Sequence, residues 1–331
     1  MTDTAAVGSA TDAGMPVRSW LGNRAGQAQL AALALFVILS GMLLSPRGLG
    51  ITVTVHDTYV MMDATWRMAL GEAVHRDFHS PIGQAFFWPL MLLTRLGDVS
   101  AVTIVHASIL VRGILLVLGW MTLPTRLSPF GFVAMMLLLL TTALSPRDIG
   151  WGLAVILSSL APYNRWGWSF LALAATVALV PRRIPDRTTV PIDGLVLGIC
   201  CTLLGYLKIH YGLAAVGLIT LGVLARTVTL RAFATALATL LVAILLVEVF
   251  AHNNALYLAD LAAVARANAG RLVDVPKLAR HLAEGASYAL LGCLLLWVMQ
   301  PTQSPVAFVS RWRYALLIMG CLLYTSPSPR D

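Results

Sequence analysis

The sequence predicts an all-α protein, a polytopic transmembrane helical bundle with an extracytoplasmic first loop. Of its 331 residues, 58% are hydrophobic and 11% are charged, whereas about 25% of the residues of a typical soluble domain are charged. The apolar residues form repeated runs, separated by short breaks rich in charge, proline or glycine. Because a helix satisfies its own backbone hydrogen bonds in lipid, these runs indicate membrane helices rather than a soluble core.

The net charge of +8 does not indicate a nucleic-acid-binding protein. Lys and Arg lie mainly in the breaks between apolar runs, as the preference for positive charge on the cytoplasmic side of a membrane produces. The four cysteines all lie in apolar runs without CxxC spacing; they are Cys200, Cys201, Cys293 and Cys321. Neither a disulfide framework nor a zinc site is therefore expected.

The chain divides into a tail, a membrane domain and a second tail. Residues 1–27 are small and polar, which predicts a disordered cytoplasmic tail. Residues 28–321 are the predicted membrane domain, with a first external loop at 45–85. A later external loop at 251–285 is Ala-rich and basic, which predicts an interfacial helix or a solvated surface. Residues 322–331 contain a Ser-Pro repeat, which predicts a non-native end on a fragment.

The apolar runs that predict membrane segments continue along the whole domain. They are 30–44, 86–96, 101–121, 130–144, 151–160, 168–180, 190–207, 213–224, 232–250, 286–299 and a last run from 314. Several are shorter than the roughly 20 residues that cross a bilayer, so tilted, re-entrant or broken helices are expected. Counted from a cytoplasmic N-terminus, about eleven segments place inside three cationic breaks that are expected to be cytoplasmic. These breaks are 181–187, Arg226 with Arg231, and Arg311 with Arg313.

One stretch, 55–83, concentrates the polar chemistry. It holds three Asp, one Glu, three His and two Arg, and its residues 61–70 have an amphipathic pattern that predicts a helix in the membrane plane. Asp57 follows the first apolar run, so its carboxylate is expected at the membrane surface. There it can take a proton from a hydroxyl group. The alternative interpretation of Asp57 is a helix N-cap, for which Asp is a preferred residue.

Three motifs carry a resemblance to a known family. Asp57 with Tyr59, then Gly71, His75-Arg76-Asp77-Phe78, Pro81 and Gly83, resemble the first loop of GT-C glycosyltransferases that use polyprenyl-phosphate sugars. The runs Tyr163-Asn164-Arg165-Trp166-Gly167-Trp168 and Leu207-Lys208-Ile209-His210-Tyr211-Gly212 resemble inter-helix motifs of bacterial members. Protein mannosyltransferases and aminoarabinose transferases are of this type. Their aspartate is often followed by a second acid, whereas Thr58 follows Asp57 here.

The resemblance implies a bacterial inner-membrane enzyme that moves a sugar from a polyprenyl-phosphate donor to an extracytoplasmic lipid, glycan or protein. It implies Asp57 as the catalytic base and Asp148 as a second acid in a later external loop. Strict alternation of segments instead places Asp148 inside, so its side of the membrane is open. Lys208 and His210 are candidate partners of the donor phosphate, because they end a helix predicted to emerge beside Asp57 and cations stabilise a departing phosphate.

The remaining candidate substrate-binding residues are Tyr59, His75, Arg76, Asp77 and Arg165. On an extended segment, the side chains of His75, Asp77 and His79 would project to one side and bind a divalent metal. A divalent metal is the one cofactor that the sequence suggests. The alternatives are a polar loop in which His75 or Arg76 contacts substrate, and a local ion pair between Arg76 and Asp77. Arg165 lies among aromatic residues, which predicts either an interfacial belt or a sugar-stacking site.

A transporter or flippase, or a non-catalytic envelope assembly protein, is the alternative function. Transporters commonly place ionisable residues at mid-membrane in helices broken by Gly or Pro. Arg112 is the deepest ionisable residue of this chain and is either functional or snorkelled to the interface. The acid-rich external loop between short helices favours the enzyme.

Overall fold

A computed structural model describes residues 23–44, 55–97, 101–143, 146–150, 153–157, 162–183 and 190–268. These parts of the chain are almost entirely helical. The helices are α1 (Arg24–Leu44), α2 (Val55–Ala69), α3 (Gln84–Thr94), α4 (Ala101–Thr122), α5 (Pro129–Ala143), α6 (Pro162–Leu179), α7 (Val190–Leu207), α8 (Ile209–Leu224), α9 (Leu230–Ala251) and α10 (Asn254–Asn268). A 3-10 turn, Leu123–Thr125, follows α4, and two antiparallel strands, β1 (Pro146–Gly150) and β2 (Leu153–Leu157), join α5 to α6.

Four helical stretches within the described ranges are long and apolar enough to cross a membrane. They are Arg24–Met42, Thr103–Thr125, Val190–Leu207 and Leu230–Ala251. Helices α3, α5 and α8 are also apolar but have only 11, 15 and 16 residues. The predominantly helical character predicted from the sequence is therefore confirmed, and the four long helices indicate a membrane protein.

Glycine allows α7 and α9 to pack closely side by side. Gly194 and Gly198 lie on one face of α7, where an added Cβ would overlap the Ala232 carbonyl oxygen and lie 2.7 Å from the Ala236 carbonyl oxygen, respectively. Because helices in lipid associate through close packing of small residues, this glycine pair fixes the α7–α9 contact. Gly194 lies against Ala232 and Gly198, four residues later, lies against Ala236, so the two helices run in the same direction.

Polar contacts mark the two ends of the bundle. At one end, Arg126 Nη2 donates to the Val177 carbonyl near the end of α6 (3.0 Å) and to Asp193 Oδ2 at the start of α7 (2.6 Å). At the other end, Lys208 Nζ, after α7, donates to Asn164 Oδ1 at the start of α6 (3.1 Å). We call these the Arg126 end and the Lys208 end.

Helix α3 begins and ends at the Lys208 end. Just before α3, Gly83 N donates to the Leu207 carbonyl (3.0 Å) at the end of α7. Helix α4 begins soon after α3. Ser108, in the first half of α4, accepts a hydrogen bond (3.2 Å) from the indole of Trp166 near the start of α6, so α4 also begins at the Lys208 end. Helix α3 therefore does not run between the two ends, although its sequence pattern counted as one membrane segment.

This placement of α3 decides the position of Asp148. Helix α4 runs to the Arg126 end and α5 returns, packing on α6 through the hydrogen bond from Ser169 Oγ to the Leu139 carbonyl (3.2 Å). Strands β1 and β2 connect α5 to α6 and so lie at the Lys208 end. Strict alternation places Asp148 on the opposite side from Asp57 because it counts α3 as a crossing, whereas in this fold β1, which carries Asp148, follows helices that return to the Lys208 end.

The described part of the predicted apolar segment 151–160 is a strand rather than a helix. Residues Leu153–Leu157 form β2, which pairs with β1 in an antiparallel hairpin. A short apolar run beside Gly150 and Gly152 suits a strand as well as a buried helix, and periodicity alone does not separate the two. The described residues are otherwise almost entirely helical, as the all-α prediction expects, and this hairpin is a local departure from it.

Other predicted regions are described only in part. Helix α1 begins at Arg24, inside the predicted tail 1–27. The predicted amphipathic helix at 61–70 corresponds to α2, and the predicted interfacial helix of the later loop corresponds in part to α10. Further regions lie outside the described residues: 1–22, 269–285, the segments 286–299 and from 314, and the tail 322–331.

Candidate functional site

A cleft of about 450 Å³ opens at the Lys208 end, between α2, the loop 70–83 and the start of α6. Its polar lining residues are Asp63, Arg67, His79, Ser80 and Tyr163, and its aromatic lining residues include Phe78 and Phe87. The cleft is therefore built largely from the polar stretch that the sequence analysis singled out.

Long-range contacts fix the conformation of the loop 70–83. His75 has a φ of 72°, in the left-handed region, and its N–H donates to the Phe78 carbonyl (2.8 Å). The buried Asn253 side chain donates to the Val74 carbonyl (2.7 Å) and to Gln84 Oε1 (3.1 Å). Because a non-glycine residue rarely adopts a positive φ, these contacts are needed to hold the loop.

Gly83 joins this loop to the end of α7. A Cβ at this position would overlap the backbone carbonyl of Tyr206, so only glycine permits the close approach. The hydrogen bond from Gly83 to Leu207 then ties the loop directly to the residue before Lys208. The predicted first-loop glycine thus has a packing role that the structure explains.

The carboxylate of Asp260, on α10, binds two histidines of the loop. Asp260 Oδ2 lies 2.8 Å from His75 Nδ1, and Oδ1 lies 2.6 Å from His79 Nδ1. The Ser80 N–H also donates to Oδ2 (3.3 Å). An ionised carboxylate only accepts hydrogen bonds, which assigns the proton of each ring to Nδ1.

The two histidines of this cluster differ sharply in exposure. The His75 side chain is 0% exposed and that of His79 is 85% exposed, while Asp260 is 8% exposed. His75 Nε2 is buried and has no hydrogen-bond partner among the described residues. His79 Nε2, on the opposite side of its ring from Asp260, faces water. His75 therefore fixes the cluster in place, and His79 presents it to a ligand.

Burial and hydrogen bonds set the charges of the cluster. Burial lowers the pKa of His75 by more than its contact with Asp260 raises it, so His75 is neutral at pH 7. Burial raises the pKa of Asp260, but the hydrogen bonds from His75, His79 and the Ser80 N–H outweigh it, so the net pKa is lowered. Asp260 is therefore ionised.

Lys208 lies beside the cleft, between α7 and α8, and its backbone is extended. Its Nζ is 4.3 Å from the centroid of the Tyr163 ring and donates to Asn164 Oδ1, which also accepts from the Tyr211 hydroxyl (3.2 Å). Burial lowers the pKa of Lys208 to about 8. Because Tyr163 also lines the cleft, a ligand in the cleft lies next to this cation.

The two predicted catalytic acids both lie on elements of the Lys208 end. Asp57 is the third residue of α2, one helical turn before the cleft residue Met61. Because α2 begins at Val55, Asp57 lies in the first turn and is not the residue that precedes the helix. Asp148 lies in β1. The structure describes the backbone of Asp57 and Asp148 but not their side chains.

The structure gives the surroundings of the possible metal ligands and of three predicted substrate contacts, His75, Arg76 and Asp77. His75 is buried, so it does not offer a surface for substrate. Arg76 Nη2 and Asp77 Oδ2 form the local ion pair (2.8 Å) given as the alternative, and Asp77 also accepts from the Ala73 N–H. Asp77 therefore turns away from the two histidines. No three His, Cys, Asp or Glu side chains converge as metal ligands within the described ranges.

The other predicted substrate-binding residues are dispersed around the Lys208 end. Tyr59 is 65% exposed on α2. Arg165 is half-buried in the first turn of α6. His210 is exposed on α8, with its ring centroid 4.3 Å from that of Tyr211. None of the three lines the 450 Å³ cleft.

Sequence reasoning missed Asp260 and treated His79 only as a metal ligand. Asp260 is an isolated acid in the Ala-rich helix α10. Its role becomes visible only when α10 is seen to pack on the loop, which the sequence does not show.

Comparisons with known protein families, with curated proteins and with solved structures found no match for this chain.

Proposed function

We propose that this protein is a polytopic integral membrane glycosyltransferase that transfers a sugar from a polyprenyl-phosphate donor to an extracytoplasmic acceptor. The observation that carries the proposal is the position of Lys208, whose Nζ lies 4.3 Å from the Tyr163 ring. Tyr163 also lines the cleft of about 450 Å³. A cation suited to a phosphate group and a cleft suited to a sugar thus share one aromatic side chain.

The transfer requires two kinds of group from the protein. The bond between the sugar carbon and the phosphate oxygen breaks, and its electron pair leaves with the phosphate, which a nearby cation stabilises. The acceptor oxygen forms the new bond, and its proton passes to a base. Lys208 is the proposed phosphate partner. Asp57 is the proposed base, because α2 carries it one turn from the cleft, and Asp148 is the proposed second acid.

The charge distribution supports an orientation with the Lys208 end outside. Arg126, Arg182 and Arg183 lie at the opposite end, where the Arg183 N–H donates to the Thr125 carbonyl (2.9 Å). Arg226 and Arg231 lie there too, flanking the turn between α8 and α9. The Lys208 end also carries arginines, but Arg67 and Arg76 there are paired with Asp63 and Asp77, whereas the arginines at the Arg126 end share Asp193 as the one acid described there. An excess of arginine is typical of the cytoplasmic side. The proposed site then faces the periplasmic or external side of a bacterial inner membrane.

The direct test is a transfer assay on the full-length protein in lipid nanodiscs. The protein is incubated with a panel of radiolabelled polyprenyl-phosphate hexoses and pentoses, together with delipidated envelope glycans, membrane lipids or envelope proteins as acceptors. We expect one donor to be consumed and its label to appear in one acceptor class. A protein that consumes no donor, but moves labelled donor across a proteoliposome membrane, contradicts the proposal and favours a flippase.

A further inference from the structure

We infer that the His79–Asp260 pair forms part of an acceptor site for a saccharide, in which a sugar hydroxyl donates a hydrogen bond to His79 Nε2. The inference rests on the proposed glycosyl transfer and adds the chemical class of the acceptor. It is carried by three observations: the fixed imidazole, its position between two recesses, and the lining of the cleft.

Asp260 orients the His79 imidazole for this role. The 2.6 Å contact between Asp260 Oδ1 and His79 Nδ1 anchors one side of an otherwise exposed ring. Asp260 is itself held by His75 and the Ser80 N–H, so the anchor does not move with the solvent-exposed side chain. With the proton assigned to Nδ1, Nε2 offers a lone pair to water or ligand. A hydroxyl group is one uncharged donor that suits this lone pair, and the lining of the cleft favours it on a sugar.

His79 lies where a bound molecule in either of two recesses reaches it. It lines the 450 Å³ cleft, and it also lines a second recess of about 490 Å³ beside α10. Ser80 and Pro81 line both recesses as well, and Ala263 of α10 lines the second. A chain of sugar units can therefore extend from the cleft across His79 into the second recess.

The lining of the cleft favours a saccharide over a charged acceptor. Phe78 and Tyr163 supply aromatic surface for the apolar faces of a sugar ring, while the buried Phe87 packs edge-on against Phe78. Arg67 also lines the cleft and pairs with two acids, Asp63 at 2.9 Å and Glu72 at 3.4 Å, so each of these three charges has an opposite charge beside it. Their remaining polar atoms can bind hydroxyl groups, and none of the three is left unpaired for an ionic ligand.

A binding measurement tests the site without relying on transfer. Saturation-transfer NMR is recorded on the full-length protein in nanodiscs with methyl α-mannopyranoside, methyl β-glucopyranoside and methyl β-galactopyranoside, and with a Ser-containing tripeptide for comparison. We expect one or more glycosides to bind and the tripeptide not to bind. The substitution His79→Phe keeps a planar ring but removes both nitrogens, so it should weaken glycoside binding about three- to tenfold, as expected for one lost hydrogen bond.

Two further variants make the test specific. In His79→Gln, the amide N–H can still donate to Asp260 and the amide oxygen can accept from a sugar, so glycoside binding should stay within about twofold of the parental value. His252→Gln changes an exposed histidine outside both recesses and should have no effect. In the transfer assay, His79→Phe should raise the acceptor KM and leave the donor KM unchanged.

The outcomes separate this inference from the proposed function. Equal glycoside binding by the parental and His79→Phe proteins, binding of the tripeptide alone, or a rise in donor KM alone overturns the saccharide acceptor site. Loss of glycoside binding in His79→Phe, in a protein that transfers no sugar from any donor, overturns the proposed transferase and leaves a saccharide-binding site.

Discussion

The buried charged residues at the two ends of the bundle have different kinds of partner. Arg126 and Arg182 both approach Asp193 Oδ2 at 2.6 Å, so a buried carboxylate lies between two guanidinium groups. Such buried charges are costly unless they are paired, and the triad therefore fixes the Arg126 end. Lys208 instead contacts the neutral groups of Asn164 and Tyr163, and among the described residues it forms no ion pair. Its charge is available to a ligand.

Lys208 should control the affinity for the donor. Lys208→Met should raise the donor KM at least about tenfold and change kcat less, because a contact made equally in the ground state acts mainly on binding. Since burial lowers the Lys208 pKa to about 8, the ammonium loses its proton above that pH, and the parental donor KM should rise between about pH 7.5 and 9. Lys208→Arg, which stays charged, should show no such rise. A pH-independent parental KM would remove Lys208 from the phosphate site.

Asp57 should control turnover if it is the base. Asp57→Asn keeps the size of the side chain but removes the proton acceptor, so kcat should fall by about 10² to 10⁴-fold with normal insertion into the membrane. A purely structural first-turn acid interacts with the helix dipole and is worth only about 0.3–1 kcal/mol of stability. In that case, Asp57→Asn would be slightly less stable but would transfer sugar at the parental rate. The two results are separated by measuring kcat and the unfolding temperature of the same preparation.

At the scale of elements, α10 closes over the loop 70–83 through a few polar contacts. Asp260 binds His75 and His79, and Asn253, just before α10, binds the Val74 carbonyl. The Tyr257 hydroxyl also donates to the Gly205 carbonyl (2.9 Å). These groups help to hold the recess beside α10 in shape, so the attachment of α10 should respond to their ionisation.

Acidification should loosen α10. The pKa of His75 is lowered in the folded protein, so its contribution to stability is complete above the unfolded value of about 6.5 and is lost as the pH falls towards the folded pKa. The lowered pKa of Asp260 acts in the same direction below about 4. Amide hydrogen exchange in α10, corrected for the intrinsic rate, should therefore speed up from pH 7 to pH 5, relative to α9.

His75→Gln provides the control for this pH effect. Glutamine does not titrate, so the dependence of α10 exchange on pH between 7 and 5 should be reduced, although the overall protection is lower. Parental α10 protection that is constant over this range would show that the cluster does not govern the attachment.

On the scale of the whole molecule, the contacts at each end arrange the chain into two chemically distinct surfaces. The Arg126 end gathers arginines around Asp193, whereas the Lys208 end combines acids and histidines with arginines that pair with those acids. The hairpin of β1 and β2 lies at the Lys208 end because α3 does not run across the bundle. Both predicted catalytic acids are therefore on the side of the cleft.

The proposed orientation can be tested by cysteine labelling. In a background with all four native cysteines replaced by Ser, Arg76→Cys lies at the exposed Lys208 end and Arg183→Cys at the exposed Arg126 end. A membrane-impermeant maleimide added to intact cells should label the first position and not the second, while permeabilised cells should show both. The reverse pattern in intact cells would invert the orientation and place the site in the cytoplasm.

The sequence by itself determined the predominantly helical character, the apolar helices that indicate a membrane protein, the approximate limits of most described helices and the polar stretch that lines the cleft. These are local properties, because each apolar run satisfies its backbone within one helix and each polar break must reach water. The motif around Lys208 and the polar stretch 55–83 were identified from residue type alone. Lys208 and the cleft formed from that stretch lie together at one end of the bundle.

Only the tertiary structure decided which of these polar residues meet. His79 and Asp260 are 181 positions apart, and they meet because α7 and α9 run in parallel and bring α10 over the loop. The helical pattern of α3 gives its length but not whether it crosses the bundle, so the side of Asp148 also depended on packing. Contacts between distant segments arise from how helices pack, and a pattern within one segment does not contain that information.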